Sequence, residues 1–576
     1  MKYVRAMAAV FAMCACLSCA QLQASDESLA PYRLADQLEP IPEGTATLYR
    51  APWRSNCRTV AAWDALQGIG VYYKHVPPWS VEQHVAVMRQ MVECGVKRLR
   101  LAPHHAMYLH EEWTSPSSNE LSVLRNELTA CRKAGIRPCV TFVHIPAMGT
   151  GLQMRAWMQR NWNKGLMPLG DGPGSREYRA YFEKVYLAMR FILDAAKEAG
   201  FRSRGSYDLE MGQNLWWGAP ALPPYPGLEL EMLRPGGQIY EFERALIERA
   251  LADGYREPVF WDSQSHHIFE KMPDENLLPN CAGRAISFYS PYAGTLTNGW
   301  TGSDDWPRRP PLRFLEGNPP ELVLAKPEGF MADFCRHDNL IQYIVRTTKP
   351  VAIPSLGVVP ADIPNATAAG RTGWEMKSAG LARILAFWLN QGAAFVLLHS
   401  AYEGKKDEMS HALIPYLENP PAFRWQDSMP LATLHNFTSP LQGARRLKGK
   451  EIASFDFRFR LDPDPVLIPA TGDGKPSHAS DLLAILPFQI SRNEAAIAVY
   501  VVTPNIAVPL NPLTLTLEIN RPARKKPTIV DTMRGTETEA GKCLIGEKST
   551  TLEMETSDTV RWIRFSFLPP NAQQGT

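Results

Sequence analysis

The chain has no large excess of charge of either sign, and after its first residues it has no uninterrupted membrane-length apolar run. Its 61 Lys and Arg residues nearly balance its 59 Asp and Glu residues, which gives a formal net charge of +2. A chain this close to neutrality has no electrostatic reason to bind nucleic acid or an anionic membrane. The longest later apolar stretch, 384–402, is interrupted by Asn390-Gln391-Gly392, so we expect no membrane span.

Metal-ligand and cofactor motifs are absent as well. Seven cysteines follow residue 24, and none of them forms a CxxC pair or a Cys/His spacing typical of zinc sites. Cys94, Cys131 and Cys139 fall in helix or strand patterns, where we expect small buried side chains, with a disulfide or two as the alternative. No phosphate-binding glycine loop, nucleophile elbow or dinucleotide fingerprint joins a strand to a helix. The sequence therefore predicts no cofactor and no bound metal.

The first residues have the pattern of an export signal. A basic start precedes an apolar run from Ala6 to Leu17, and Ser18-Cys19-Ala20 supplies small residues for a cleavage site. We interpret residues 1–24 as a signal peptide and expect an exported protein, either periplasmic or extracellular. Lipid attachment at Cys19 is the less favoured alternative, because no leucine lies three residues before it.

From residue 68 to 418 the chain alternates between strand-like and helix-like segments. Eight strand patterns, most of them followed by amphipathic helical spacing and a glycine stop, predict a (β/α)8 TIM barrel. The predicted strands are 68–73, 97–103, 138–145, the start of 205–218, 258–264, 285–289, 350–358 and 393–398. The predicted helices are 81–94, 119–134, 176–199, 241–252 and 378–389. In such barrels the chemistry lies at the C-terminal ends of the strands.

The stretch 205–218, GSYDLEMGQNLWWG, places acidic and amide groups beside two tryptophans at such a strand end. This composition suits a sugar subsite, because sugar hydroxyls need hydrogen bonds and pyranose faces pack on aromatic surfaces. Residues 209–214, LEMGQN, resemble the F-E-L-G-N-E segment of clan A glycoside hydrolases, especially the heparanase-like and β-xylosidase-like families. Residues 349–357, KPVAIPSLG, resemble the K-P-x-x-I-T-E-F-G pattern of the same families. The resemblance implies a barrel with a β-sandwich and hydrolysis of glycosidic bonds.

The chain departs from these families at both catalytic positions. Their general acid/base corresponds to Asn214 and their nucleophile to Ser355. An amide cannot donate a proton as an acid does, and a lone serine without a nearby base is a poor nucleophile toward a glycoside. Glycoside hydrolysis normally uses two carboxylates, ~5–5.5 Å apart for retention or ~6.5–9.5 Å for inversion. We therefore expect that the usual pair is lost.

Other carboxylates near strand ends are candidates for the pair. Glu210 lies on the fourth strand, Asp262 ends the fifth and Glu403 follows the eighth, and Glu210 is the first choice as proton donor. Each has a non-catalytic alternative: Glu210 as a buried acid that orients a neighbour, Asp262 as a helix cap or solvated loop residue, and Glu403 as a surface acid. Asp208 alternates with Glu210 on the same face, so we expect it to lie deeper and to be structural.

Further polar and aromatic residues near strand ends are expected to bind the sugar. They are His104, His105, His144, Gln213, Asn214, Trp217, Trp261, Tyr289, Tyr292 and His399. A metal site built from the histidines is a disfavoured alternative, because no zinc-ligand spacing is present. For any single aromatic residue, packing in the core is the alternative.

The sequence predicts a signal peptide (1–24), an N-terminal segment (25–67), a barrel (68–418) and a β-sandwich (419–576), the last from short alternating strands separated by turns. As in the resembled families, the N-terminal segment is expected to supply a strand to the sandwich. The predicted function is an exported glycoside hydrolase that cleaves polysaccharide or oligosaccharide with a non-standard carboxylate pair. The alternative is a carbohydrate-binding protein without hydrolysis, and a structural envelope protein is less favoured. The expected partner is a carbohydrate, and the sequence indicates no oligomeric state.

Overall fold

The structure, a computed structural model, divides the chain into two compact units. One unit contains residues 64–439 and 504–509, and the other contains residues 1–63, 440–503 and 510–576. The residues that the structure describes are 29–32, 58–73, 76–103, 118–143, 174–203, 205–213, 235–263, 277–285, 349–362, 370–403, 408–468, 476–503 and 506–568.

The first unit is built on a closed barrel of eight parallel strands, and the prediction of a (β/α)8 barrel is confirmed. Two short strands, β1 (Ala30–Tyr32) and β2 (Val60–Ala61), precede it. The barrel strands are β3 (Ile69–Tyr73), β4 (Arg98–Leu101), β5 (Arg137–Val143), β6 (Asp208–Gln213), β7 (Val259–Ser263), β8 (Gly283–Ala285), β9 (Val351–Leu356) and β10 (Phe395–His399). Each strand pairs with the next, and β10 closes the ring against β3, with Leu397 opposite Gly70.

All five predicted barrel helices are present. The described helices are α1 (Ala62–Gln67), α2 (Val81–Glu93), α3 (Ser118–Ala134), α4 (Arg176–Glu198), α5 (Gln238–Ala252), α6 (Gly373–Gln391) and α7 (Met429–Thr438). Helix α6 begins earlier than the predicted Ser378, because the Thr372 side chain caps it and Glu375 completes the capping box. Its end at Gly392, with φ of 95°, shows the left-handed conformation that a glycine stop supplies. None of the described helices is both long and apolar enough to cross a membrane.

The barrel unit extends to Ser439, past the predicted boundary at 418, because α7 is attached to the barrel helices. Thr438 Oγ1 donates a hydrogen bond of 3.1 Å to the carbonyl of Cys94, the residue after α2. Inside the barrel, the rings of Phe260 and Phe395 meet edge-on with centroids 5.0 Å apart. Both rings belong to a buried apolar cluster that also contains Cys139, Ala285, Ala352 and Leu397.

The cysteines within the described residues are free thiols. Cys94, Cys131, Cys139 and Cys281 are buried, and Cys543 is partly buried. The prediction of buried apolar cysteines at positions 94, 131 and 139 is confirmed. Burial raises the pKa of the Cys131 and Cys139 thiols well above the ordinary value, which disfavours the reactive thiolate.

The second unit contains the predicted β-sandwich, with two main sheets. Its remaining strands are β11 (Phe457–Asp462), β12 (Val466–Ile468), β13 (Ser477–His478), β14 (Leu483–Ser491), β15 (Glu494–Val501), β16 (Leu513–Ile519), β17 (Thr528–Asp531), β18 (Glu537–Glu539), β19 (Lys542–Ile545), β20 (Thr550–Thr556) and β21 (Arg561–Ser566). The sheets have the orders β1-β11-β16-β20-β19 and β18-β17-β21-β15-β14-β2. Because β1 pairs with β11 and β2 pairs with β14, the predicted N-terminal contribution to the sandwich is confirmed.

Candidate functional site

Charged side chains cross the barrel interior between three neighbouring strands, β4, β5 and β6. Asp208 on β6 has no exposed surface and forms ion pairs with Arg98 of β4 and Arg137 of β5. The Arg98 guanidinium also lies over the Phe395 ring, 4.7 Å from its centroid. The carboxylate thus joins the first residues of β4, β5 and β6 through charge-assisted hydrogen bonds. This arrangement agrees with the structural role predicted for Asp208.

Glu210 lies two residues further along β6 and is held by Arg100. The Arg100 Nε donates to Glu210 Oε2 at 2.6 Å, and its Nη2 donates to Oε1. Thr141 Oγ1 donates to the same Oε2 at 3.0 Å, and Glu210 is only 1% exposed. A guanidinium can only donate, so both oxygens of Glu210 act as acceptors. A carboxylate that accepts on both oxygens suits the role of a base, a nucleophile or a fixed negative charge. It does not suit the role of proton donor, which was the first choice for Glu210 from the sequence.

A row of rings connects this ion pair to the end of β10. The Arg100 guanidinium lies 4.5 Å from the centroid of the Tyr72 ring, a cation–π distance. The Tyr72 ring is 5.0 Å from the His399 ring, which in turn stacks on His411 at 4.3 Å with an interplanar angle of 12°. The predicted sugar-binding residue His399 is therefore close to the Glu210–Arg100 pair through Tyr72.

The segment that carries His411 runs beside the residues that follow β10. Ser400 donates its backbone N–H to the His411 carbonyl, and the backbone N–H of His411 donates to Glu403 Oε2 at 2.9 Å. From α6, Lys377 Nζ donates to the Ala412 carbonyl at 2.6 Å. Glu210 and Glu403 are therefore linked only indirectly, through Arg100, the rings of Tyr72, His399 and His411, and the backbone of His411.

Trp261 does not occupy the predicted sugar-stacking position. Its side chain has no exposed surface, and its Nε1–H donates to the Glu243 carboxylate on α5. The ring of Tyr240, also on α5, meets it edge-on at 6.1 Å. On β7 the indole therefore faces the surrounding helix, while its neighbour Phe260 faces the interior. Trp261 is therefore a core residue, which was the alternative interpretation of aromatic residues near strand ends.

The backbone places two further candidates at defined register positions. Gln213 pairs with Ser263, and Asp262 pairs with Gly212 on one side and Ala285 on the other. The side chains of Gln213 and Asp262 lie outside the described part of the chain. The same holds for the whole of His104, His105, His144, Asn214, Trp217, Tyr289 and Tyr292.

A metal centre is not found among the side chains that the structure describes, where no three His, Cys, Asp or Glu groups are placed together as ligands.

Four residues of the site were not predicted from the sequence, namely Tyr72, Arg100, Thr141 and His411. The alternation Arg98-Leu99-Arg100-Leu101 in a predicted barrel strand was a usable signal, because every second residue of such a strand faces the interior. His411 gave no such signal, since it reaches the site on a returning segment.

No known family profile matches the chain, and no curated protein sequence is significantly similar to it. Solved structures similar in fold include a family 39 glycoside hydrolase from Bacteroides cellulosilyticus WH2, at 12% identity and a TM-score of 0.43 over 89% of this chain and 83% of that one. The catalytic domain of a family GH30 xylanase C from Talaromyces cellulolyticus shows 10% identity and a TM-score of 0.42 over 89% and 98%. A GH5 xyloglucan-specific β-1,4-glucanase from a ruminal metagenomic library shows 10% identity and a TM-score of 0.37, over 63% of this chain and 94% of that one.

These neighbours are glycoside hydrolases, the class that the sequence motifs at 209–214 and 349–357 resemble. Identities and TM-scores this low do not identify an activity for this chain. The fold class is established by its own strand order, a closed eight-stranded parallel barrel with separate antiparallel sheets.

Proposed function

We propose that the chain is an exported glycoside hydrolase that cleaves polysaccharide or oligosaccharide at the mouth of its barrel. The observation that carries the proposal is the buried carboxylate of Glu210, fixed inside the barrel by Arg100 beside the rings of Tyr72 and His399. A fixed negative charge next to ring faces and hydrogen-bonding groups can stabilise the positive charge that develops on a sugar ring during hydrolysis.

The catalytic pair is drawn from Glu210, Asp262 and Glu403. Glu210 accepts hydrogen bonds on both oxygens, so it takes the base or nucleophile role and another group donates the proton. Phe260 pairs with Glu210 across β6 and β7, and position 262 lies two residues beyond it toward the C-terminal strand end. Two residues along a strand and one strand across separate Cα positions by about 8 Å. Side chains on Cα atoms at this spacing can bring their carboxyl groups within the ~5–9.5 Å that glycoside hydrolysis uses, and we assign the acid to Asp262 first and to Glu403 second.

The test compares Asp262→Asn, Glu403→Gln and Glu210→Gln on two kinds of substrate. Loss of the acid should lower turnover of an unactivated polysaccharide by ~10²–10⁴-fold. The same variant should lose less rate on an aryl glycoside, whose leaving group needs little protonation. Loss of the base or nucleophile should slow both substrates. Full activity of both Asp262→Asn and Glu403→Gln on the polysaccharide would rule out this assignment of the acid.

A carbohydrate-binding protein without hydrolysis is the second candidate. It is favoured by the ion pair that occupies both oxygens of Glu210, together with Asn214 and Ser355 at the positions where the resembled families keep their catalytic groups. A wild-type protein that binds at least one polysaccharide of a broad panel and hydrolyses none would support this candidate over the enzyme.

A further inference from the structure

Three aromatic residues form a row at the C-terminal end of the barrel, and one of them, Tyr402, directly precedes Glu403 in the chain. Trp79 lies between β3 and α2, and Tyr402 follows β10, so both belong to segments that follow strand ends. Trp79 meets Tyr402 edge-on with centroids 5.7 Å apart, and Tyr402 lies 6.2 Å from Tyr416. Trp79 is 8% exposed and Tyr402 is 1% exposed, whereas Tyr416 is 45% exposed. The outermost ring therefore has solvent in front of it and buried rings behind it.

The segment that carries Tyr416 is attached to the end of β10 by backbone hydrogen bonds. Leu413 donates to the Ser400 carbonyl at 2.9 Å, and Ile414 donates to the Ala401 carbonyl at 3.0 Å. On the other side of Tyr416, the Leu417 N–H donates to the Tyr402 hydroxyl oxygen at 3.2 Å. A ring whose backbone is held on both sides loses little conformational freedom when a ligand packs on it, which favours binding.

The same segment begins inside the candidate site. His411 stacks on His399 at the end of β10, and Tyr416 follows five positions later in the chain. Five residues span at most about 18 Å. A ligand that occupies the barrel mouth and extends along this segment therefore reaches Tyr416 after a few sugar units.

We propose that Tyr416 is a distal subsite that stacks on a pyranose ring of an oligosaccharide extending out of the barrel mouth. The proposal rests on the proposed function in that it takes the barrel ligand to be a carbohydrate. The neighbours Glu418 and Asn419 are exposed and polar. One exposed ring among polar groups suits a sugar face better than a protein partner, whose docking surface is a larger contiguous patch.

The experiment measures binding of disaccharides and hexasaccharides of the gluco-, manno-, xylo- and uronic acid series by calorimetry. We expect Tyr416→Ala to weaken hexasaccharide binding about tenfold, which corresponds to about 1.4 kcal/mol, and to weaken disaccharide binding much less. Tyr416→Phe keeps the ring and should restore most of the hexasaccharide affinity. Trp63→Ala is the matched control, because Trp63 is another exposed ring, 38% exposed, that lies on α1 before the first barrel strand rather than after the end of a barrel strand.

The outcomes separate this proposal from the one on which it rests. If the wild type binds hexasaccharides and Tyr416→Ala binds them as tightly, the distal subsite is wrong while the carbohydrate site stands. An equal loss for disaccharides and hexasaccharides would place Tyr416 in the mouth itself and would also overturn the distal subsite. If the wild type binds none of these sugars, the proposed carbohydrate site fails and the distal subsite fails with it.

Discussion

Arg100 and Glu210 lie 110 positions apart in the sequence, and each is nearly fully buried, with 2% and 1% of the side chain exposed. Removing two charges from water costs free energy that their mutual attraction offsets only when both are present. The pair therefore affects stability as well as chemistry, and activity losses at Glu210 have to be compared with the folded fraction of each variant.

The pair predicts strongly non-additive stability changes. Arg100→Met or Glu210→Leu alone leaves one buried charge without its partner and should lower the free energy of unfolding by about 3–5 kcal/mol. The double variant removes both charges and should lose clearly less than the sum of the single changes. Urea unfolding of the four proteins measures this difference. Additive losses would show that the two side chains stabilise the fold independently.

Another buried acid, Glu127, lies on helix α3, outside the barrel interior. It is 7% exposed, and burial raises its pKa to about 8, while its charge contributes to the raised pKa of Tyr73. The folded state therefore holds a proton on Glu127 between about pH 4.5 and pH 8, where the unfolded state has released it. The stabilisation is fully present below the unfolded pKa and is lost as the pH rises through 8.

In the Glu127→Gln variant, we expect stability to decrease less as the pH rises. The free energy of unfolding, measured by urea titration from pH 5 to about pH 9, should fall less steeply in the variant than in the wild type. Glu82→Gln is the matched control, because Glu82 is on the neighbouring helix with its side chain 78% exposed. A variant as steep as the wild type would show that Glu127 is not the titrating group.

The buried side chain of His84 makes stability depend on pH with the opposite sign. It has no exposed surface, its Nδ1 lies 2.9 Å from the Tyr73 hydroxyl, and burial lowers its pKa to about 4. As the pH falls, the unfolded state binds this proton at a higher pH than the folded state does. The contribution of neutral His84 to stability is therefore present above the unfolded pKa and is lost as the pH falls toward 4. Between about pH 4.5 and pH 6.5 the effects of Glu127 and His84 oppose each other, so Glu127→Gln should make the loss of stability toward acid pH steeper.

At the scale of elements, the ends of β9 and β10 approach so closely that only glycine fits between them. A Cβ placed on Gly357, the residue after β9, would lie 2.2 Å from the carbonyl oxygen of His399. The obstacle is backbone, which cannot rotate away as a flexible side chain can. The position of His399 in the candidate site thus depends on the absence of a side chain on the neighbouring strand.

Gly357→Ala is therefore expected to displace the end of β10. Overpacking of this kind typically costs about 1–3 kcal/mol, and the variant should also lose sugar binding or turnover, because His399 and His411 move with the strand end. Gly174→Ala is the control, since a Cβ at Gly174 meets nothing within 4 Å. Thermal unfolding and binding assays measure both effects, and unchanged behaviour of Gly357→Ala would refute the close approach.

At the scale of the whole molecule, the N-terminal segment belongs to the sandwich unit. Strand β1 begins at Ala30 and pairs with β11, so removal of residues 1–24 leaves the strand intact. Cleavage after Ala20 or after Ala24 meets this condition.

We expect the exported protein to begin at Gln21 or Ser25. N-terminal sequencing of the protein recovered from outside the cytoplasm measures this directly. A mature chain that still contains Lys2 and Arg5 would contradict cleavage, and a chain that begins after Tyr32 would show that β1 is not part of the mature sandwich.

The sequence by itself determined the order of the barrel strands, most of the helices that follow them, and the presence of a β-sandwich after the barrel. The periodicity of apolar residues and the glycine stops are local signals, so the eight barrel strands and the helices between them were predictable, as was the deeper position of Asp208 relative to Glu210. The alternation of side chains along a strand predicts which residues share a face of that strand. It does not predict which side chains of other strands they contact.

Only the tertiary structure decided which groups meet. Closure of the barrel brings Arg100 to Glu210 across β5, and a returning segment brings His411 onto His399. The same closure turns Trp261 toward α5, although an aromatic residue at a strand end is equally consistent with a sugar platform. These contacts join residues far apart in the chain, and their energies depend on burial and on partners that no local pattern specifies.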